Sequence, residues 1–231
     1  MFNDYPANNY PVIGAAVQNT TSLANNFYRG YLSNFRVVNG NAIYNSVNTY
    51  NMPNTSFLAN PAVGGNTVIL LTGTNATVRD SAGKINFRTI GGVSFSNTIY
   101  KFGSSSIYLN GKDAVLVSTP VDAVTKSIAT GDYTVEMWVY PLSYTGMYSA
   151  EPTLIGNMDW NSGSNWWSFG MNGSGYISLY MYQGLGTLTG NSQNIIPLNQ
   201  WSHIAFTKQG WYGSSKSTIN LYVNGNVAAQ G

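Results

Sequence analysis

The 231-residue sequence has no cysteine and very few charged side chains. Without cysteine the chain forms no disulfides, and it gives no indication of a redox compartment. Charged residues make up 8% of the chain, whereas soluble proteins average about 25%. Ten basic and eight acidic residues form no runs and leave a net charge of +2. Because the chain lacks the basic stripe that displaces counterions from phosphates, we expect no nucleic-acid partner.

Long apolar runs are also missing. No run approaches the roughly 18 residues of a membrane span, so we expect no membrane insertion. Residues 1–21 contain neither a basic start nor a continuous apolar segment. We therefore expect no signal peptide, and any export would use another route.

Short β-rich runs take the place of helical periodicity, which is almost absent. Gly, Asn and Ser separate these runs, and hydrophobic residues make up 43% of the chain. Many short strands with turn residues between them predict an antiparallel sandwich or barrel. Two hairpins are predicted, one at Asn224-Gly225 and one around residues 172–175, because Asn and Gly tolerate the positive φ of tight turns.

The run "DYTVEMWVYP" predicts a central strand. Successive side chains of a strand point to opposite faces, and here both faces carry large apolar groups. One face comprises Tyr133, Val135, Met137 and Val139; the other comprises Thr134, Glu136, Trp138 and Tyr140.

A linker is predicted at residues 49–66, where two prolines, several asparagines and a double glycine interrupt the alternation. It divides the chain into a short β segment, residues 1–48, and a longer β body, residues 67–231.

The order of four motifs in the body resembles a known family. "SIYLNGKDAVLV" is followed by "DYTVEMWVYP", then by "WSHIA", which begins at Trp201, and then by "LYVNG", which ends at Gly225. Together they resemble the laminin-G-like branch of the concanavalin A-like lectin/glucanase superfamily. The resemblance implies an all-β fold, an antiparallel two-sheet jelly-roll sandwich, over residues 67–231.

The resemblance also identifies two family elements at an unusual position. In the family, "LYVNG" normally leads to a strand such as "PVIGA" and then to a "GYLSNFRV"-like strand. Here both lie within residues 10–44, at the N-terminus. Three arrangements remain open: the displaced strands close their own chain, they complete a neighbouring subunit or module by β-strand complementation, or they belong to a preceding repeat of a tandem array.

Similar modules occur in the tail and fibre proteins of bacterial viruses, so the resemblance implies an extracellular protein of the virion tail or surface. The expected role is adhesion through recognition of host-surface glycans. The alternative is a purely structural fibre or shell subunit that assembles by strand exchange and binds no ligand.

Catalysis is not predicted. The superfamily that the chain resembles includes glycosidases, which need paired carboxylates, about 5 Å apart in retaining enzymes. Their E-x-D-x-x-E strand is matched here by Glu136 alone, so we interpret Glu136 as a buried hydrogen-bond acceptor. His203, the single histidine, is interpreted as a packed core group, and no nucleophile elbow accompanies it.

Sugar binding is predicted in two loops where aromatic rings lie among amides and hydroxyls. Aromatic faces pack against the C–H surfaces of pyranoses, and amides match sugar hydroxyls. The alternative is that these rings fold down and close the ends of the sandwich, whereas Trp167 alternates into the core. The candidate sugar-binding residues are Trp160, Asn161, Asn165 and Trp166 in the first loop and Trp211 and Tyr212 in the second.

Calcium is the one cofactor that the resemblance suggests. Many related domains hold it with aspartates and backbone carbonyls, because this cation prefers oxygen ligands. Asp113, Asp132 and Asp159 stand at or beside loops and are the candidate ligands. No dense Asp-x-Asp loop is present, so ordinary solvated or capping aspartates are the alternative.

Overall fold

A computed structural model of the chain describes residues 11–19, 22–23, 26–45, 49–58, 64–72, 78–119, 131–146, 151–157, 167–181, 186–210 and 217–231. Seventeen strands and a 3-10 helix, Ser192–Asn194, lie in this part of the chain. The strands are β1 Val12–Ile13, β2 Val17–Asn19, β3 Ser22–Leu23, β4 Arg29–Asn39, β5 Asn66–Leu71, β6 Asn86–Ile90, β7 Ser94–Ser96, β8 Ser106–Asn110, β9 Val115–Thr119, β10 Tyr133–Pro141, β11 Thr153–Gly156, β12 Trp167–Met171, β13 Ile177–Met181, β14 Gly186–Thr189, β15 Ser202–Gln209, β16 Thr218–Val223 and β17 Asn226–Gln230. Among the described residues, no helix is long and apolar enough to cross a membrane.

Two large antiparallel sheets confirm the predicted all-β sandwich. The seven-stranded sheet has the order β14-β13-β12-β11-β1-β9-β6. The eight-stranded sheet has the order β17-β16-β15-β10-β4-β8-β7, with β5 paired to β4 beside this path. The short strands β2 and β3 pair only with each other.

The main core lies between the two sheets and is formed by the inward-facing residues of each. Tyr133, Val135, Met137 and Val139 of β10 all point into it. They meet inward-facing residues of the seven-stranded sheet such as Phe169, which is fully buried. Burial of apolar surface, worth roughly 25 cal/mol per Å², holds the two layers together.

Both predicted hairpins are confirmed. β16 and β17 are joined through Asn224 and Gly225, whose φ values of 49° and 81° are those a type I′ turn requires. β12 and β13 pair across the turn that begins at Asn172, where the Asn172 side-chain oxygen accepts hydrogen bonds from the backbone N–H groups of Ser174 and Tyr176.

The N-terminal strands pair with strands of the body in the same chain. β1 lies between β9 and β11 in one sheet, and β4 lies between β10 and β8 in the other. The division into residues 1–48, 49–66 and 67–231, and the choice between self-closure and exchange, stay predictions.

Residues 49–58, within the segment interpreted as a linker, form a layer on the eight-stranded sheet. Phe57 is buried against Leu70 and Trp138, and Tyr50 packs against Tyr222. The backbone N–H of Tyr50 donates to the carbonyl of Gly225. This part of the segment therefore covers the face of the sheet that points away from the main core, here called the outer face.

Candidate functional site

A buried polar cluster lies on the outer face of the eight-stranded sheet, centred on Glu136 of β10. Its carboxylate forms an ion pair with Arg36 of β4 and accepts a hydrogen bond from the Arg36 Nε at 2.6 Å. The hydroxyl of Tyr44 donates to Oε2 at 2.6 Å, and the His203 Nε2 lies 3.2 Å from the same oxygen. Both Glu136 and His203 have 0% exposure, which confirms their interpretation as buried, hydrogen-bonded groups.

Opposing effects set the ionisation of Glu136. Burial alone raises the pKa of a carboxyl group, because it penalises the charged form. Here the hydrogen bond from His203, the charge of Arg36 and the hydrogen bond from Tyr44 outweigh burial, and they hold the pKa of Glu136 below its ordinary value. The carboxylate is charged, satisfied and inaccessible, so in this arrangement it acts as a structural group that joins three strands.

An aromatic layer seals this cluster from water. The rings of Tyr44 and Tyr50 stack with centroids 3.7 Å apart, and the Tyr50 hydroxyl lies 2.5 Å from the Nδ1 of His203. Phe57 lies under the Arg36 guanidinium, 4.6 Å from its central carbon. Burial raises the pKa of both Tyr44 and Tyr50 far above that of a free tyrosine, and the nearby Glu136 charge adds to the effect.

A row of four aromatic residues crosses the same outer face beside this layer. Tyr108 of β8 pairs in register with Tyr31 of β4, and Tyr31 pairs with Tyr140 of β10. Trp201, just before β15, packs against Tyr140. Ring centroids are separated by 5.0 Å, 5.7 Å and 5.5 Å along the row. All four side chains are partly exposed, and they are called the aromatic row below.

Polar groups border the aromatic row. Ser94 of β7 pairs with Tyr108 and is exposed, and Arg29 and Asn110 form the next cross-strand pair towards the end of the sheet. The hydroxyls of the three row tyrosines form no hydrogen bond with any residue that the structure describes. They are therefore available as donors and acceptors for a ligand.

Sequence reasoning did not identify this row, although it placed one member correctly. The alternation of β10 assigned Tyr140 to the face shared with Glu136, which is where it lies. Tyr31 and Tyr108 come from strands distant in sequence, and their alignment depends on registers that a single sequence does not reveal. The sequence did contain one signal for this row: in each of three predicted strands, the alternation places a tyrosine on the face that points away from the core.

The predicted sugar-binding residues Trp160, Asn161, Asn165, Trp166, Trp211 and Tyr212 lie outside the described residues, so their assignment stays a prediction. Trp167, which follows the first loop, is buried in the main core as predicted. The second loop follows β15, whose last residue, Gln209, lies at the opposite end of that strand from Trp201. The aromatic row and the base of that loop are therefore at different ends of the sheet.

The structure does not bring Asp113 and Asp132 together. The Oδ1 of Asp113 accepts from the Asn110 side chain at 2.6 Å and from the Gly92 backbone N–H at 3.1 Å, and these bonds, led by the one from Asn110, lower its pKa. Asp132 accepts from the Gly210 backbone N–H.

Strand β4 separates these two aspartates. Arg29 at its start pairs with Asn110, and Asn39 at its end pairs with Tyr133. One ion therefore cannot bind both Asp113 and Asp132. Asp159 lies outside the described residues, and the described residues contain no cluster of three or more His, Asp or Glu side chains. Calcium binding stays a prediction.

Two facing antiparallel sheets with a partly exposed aromatic row define a lectin-like β-sandwich. A family model described as the concanavalin A-like lectin/glucanases superfamily matches residues 109–231, just over half of the chain, and the chain belongs to this laminin-G-like family. The match begins in β8 and continues to β17. Neither the curated proteins nor the solved structures gave a significant match.

Proposed function

We propose that this chain is a non-catalytic adhesion module that binds carbohydrate on the outer face of its eight-stranded sheet. The aromatic row is the observation that carries the proposal. Membership of a lectin-like family supports it, as does a surface built mainly from amides and hydroxyls instead of charges. The setting we propose is extracellular, on a virion tail or surface, where such a module would recognise host glycans.

Sugars have a dual character that suits the aromatic row. A pyranose has an apolar C–H face and a rim of hydroxyls, so it suits an aromatic ring bordered by neutral donors and acceptors. Tyr31, Tyr108 and Tyr140 supply both a ring and a hydroxyl, and Ser94 supplies an exposed neutral hydroxyl beside them. An aromatic strip left partly exposed on a soluble surface is typical of a binding site.

The competing function is a purely structural subunit that assembles by strand exchange. The position of β4 is the observation that supports testing it. This strand comes from the N-terminal segment and is central to the eight-stranded sheet. If neighbouring chains exchanged it, the protein would form dimers or longer assemblies. Light scattering at several protein concentrations measures this, and a monomer that binds glycans would support adhesion over the structural alternative.

The function is tested with a glycan array and with affinity electrophoresis through soluble polysaccharides. Trp201→Ala should weaken retention, whereas Tyr100→Ala, at an aromatic residue that is 43% exposed outside the row, should leave it unchanged. Trp160→Ala and Trp211→Ala test the predicted loop sites in parallel. If wild type binds nothing, or if only the loop variants lose binding, the proposed site on the outer face is rejected.

An assay for new reducing ends tests the non-catalytic part of the proposal. Incubation with each polysaccharide that retains the protein should release none. If wild type releases them, the chain is a glycosidase, and loss of release in a Glu136→Gln variant that is still folded overturns the assignment of Glu136 as a structural group.

A further inference from the structure

We propose that the aromatic row binds the interior of a single, neutral, linear polysaccharide chain that runs across the strands. This inference rests on the proposed carbohydrate-binding function and specifies the class of ligand and its orientation. Four properties of the row carry it: its length, the tilt of its rings, its open ends and its lack of charge.

The row is longer than one sugar residue. Three of its members lie on the neighbouring strands β8, β4 and β10, and Trp201 immediately precedes the next strand, β15. Because strands in a sheet are spaced by about 4.8 Å, the row extends over roughly 14 Å between its outermost strands. Neighbouring ring centroids are 5.0–5.7 Å apart, which is about the width of one pyranose. A monosaccharide therefore covers only part of the row, whereas a linear chain of about four residues covers it all.

The rings of the row are not coplanar. Tyr108 and Tyr31 are inclined by 40°, Tyr31 and Tyr140 by 81°, and Tyr140 and Trp201 by 62°. A flat crystalline polysaccharide surface cannot touch four rings that turn in this way. A free chain can, because rotation about each glycosidic bond lets every residue present its own apolar face. The ligand is therefore a soluble chain.

Both ends of the row lead to small or polar side chains. At one end Ser94 follows Tyr108 on the edge strand β7, and it is exposed. At the other end the residues before Trp201, Asn199 and Gln200, are also exposed. A site that captures a chain terminus needs a wall at one end. These exposed side chains let a chain continue past the row in both directions.

The row carries no charge, and this sets the class of polysaccharide. Its side chains are three phenols and an indole, with Ser94 and Asn110 beside them. The charges that the structure describes beside the row are single groups of mixed sign: Arg29, on a neighbouring cross-strand pair and exposed, Asp113, which accepts from Asn110, and Lys101, whose ammonium lies 4.1 Å from the ring centroid of Trp138. An exposed single charge contributes little and is screened by salt. We therefore expect a neutral polymer and binding that is insensitive to salt.

The experiment uses the full chain and proceeds from polymers to oligosaccharides. Laminarin, galactomannan, xyloglucan, agarose and alginate are compared in affinity electrophoresis, with crystalline cellulose as a pull-down. Oligosaccharides of one to six residues from the polymer that retains the protein most strongly are then measured by calorimetry. Affinity should rise by at least about tenfold from one residue to four and then level off.

Two variants change the length of the row in opposite directions. Ser94→Trp adds a ring next to Tyr108, so affinity should level off at an oligosaccharide one residue longer than for wild type. Trp201→Ala removes the ring at the other end of the row, so affinity should level off at an oligosaccharide one residue shorter than for wild type. Ser174→Trp, at an exposed turn position of the other sheet, is the matched control and should behave as wild type. The thermal midpoint of each variant establishes that it is folded.

Each contrary result has a distinct meaning. If a monosaccharide binds as tightly as the hexamer, or crystalline cellulose binds while free chains do not, the chain-binding inference is overturned and the carbohydrate function stands. Preference for alginate, with strong salt dependence, overturns the neutral class. An unchanged plateau in both Ser94→Trp and Trp201→Ala overturns the location of the site. If no polymer or array glycan is bound, the proposed function itself is rejected.

Discussion

The carboxylate of Glu136 and the imidazole of His203 lie 3.2 Å apart, and neither side chain is exposed. With Arg36, this pair joins three adjacent strands, β4, β10 and β15. The same three strands carry Tyr31, Tyr140 and the approach to Trp201. The buried cluster therefore fixes the registers that align the aromatic row.

Glu136→Gln is expected to destabilise the protein strongly. The substitution keeps the shape of the side chain but leaves the buried Arg36 guanidinium without its counter-charge. Breaking a buried ion pair by removing one partner costs about 3–5 kcal/mol. Urea unfolding measures the change, and Glu151→Gln, at an exposed acid, should stay within about 0.5 kcal/mol of wild type. Equal stability of the two variants would show that the cluster contributes little.

Acid should weaken the fold through the same carboxylate. The pKa of Glu136 in the folded protein lies below its ordinary value of 4.5. Its contribution to the free energy of unfolding is therefore complete above that value and is lost as the pH falls through the folded pKa. Urea unfolding from neutral pH to about pH 3 should show this loss. Glu136→Gln should have a shallower dependence, and parallel curves for the two proteins would contradict the assignment.

Alkaline pH should also destabilise the protein, here because two buried tyrosines have raised pKa values. Burial raises the pKa of Tyr44 and Tyr50 well above the ordinary value of 10.0. Their contribution is therefore complete below the unfolded pKa and is lost as the pH rises above it, since the unfolded chain then releases protons that the folded protein retains. Tyr50→Phe removes one of these groups, so its stability should fall less steeply above about pH 10. Tyr100→Phe, at an exposed tyrosine, is the control and should follow wild type.

How far the fold follows from the sequence depends on the range of each interaction. The Asn224-Gly225 turn and the two-sided burial of β10 were predicted correctly, because turn chemistry and alternation are local properties of the chain. The roles of Glu136 and His203 were also predicted, since a lone acid and a lone histidine on a central strand have little to react with. Their partners were not predicted, because Arg36, Tyr44 and Tyr50 lie 92–153 residues away in sequence from the groups they bond.

Composition alone did not predict that residues 49–58 form a layer on the outer face of the sheet. Two prolines and several asparagines remove strand alternation, and this pattern is typical of a linker. Tyr50 and Phe57 nevertheless supply large apolar groups, and an aromatic ring that covers a buried charge cluster needs no regular secondary structure. The aromatic row was missed for a related reason, since its members meet only through long-range strand pairing.

Gly225→Ala should destabilise the protein by more than the loss of a tight turn alone. Gly225 has a φ of 81°, a conformation that costs an L-residue about 1–2 kcal/mol. A Cβ at this position would also lie 2.5 Å from the carbonyl oxygen of Tyr50, in the layer that seals Glu136 and His203. The layer would have to shift, and with it the bond between Tyr50 and His203.

Gly173→Ala is the matched control, because Gly173 also lies in a hairpin turn and a Cβ there meets no atom within 4 Å. Urea unfolding of the two variants should place Gly225→Ala lower by at least about 1–2 kcal/mol, and hydrogen exchange should show loss of protection at the Tyr50 amide. If the two variants were equally stable, the contact between the hairpin and this layer would not contribute to the fold.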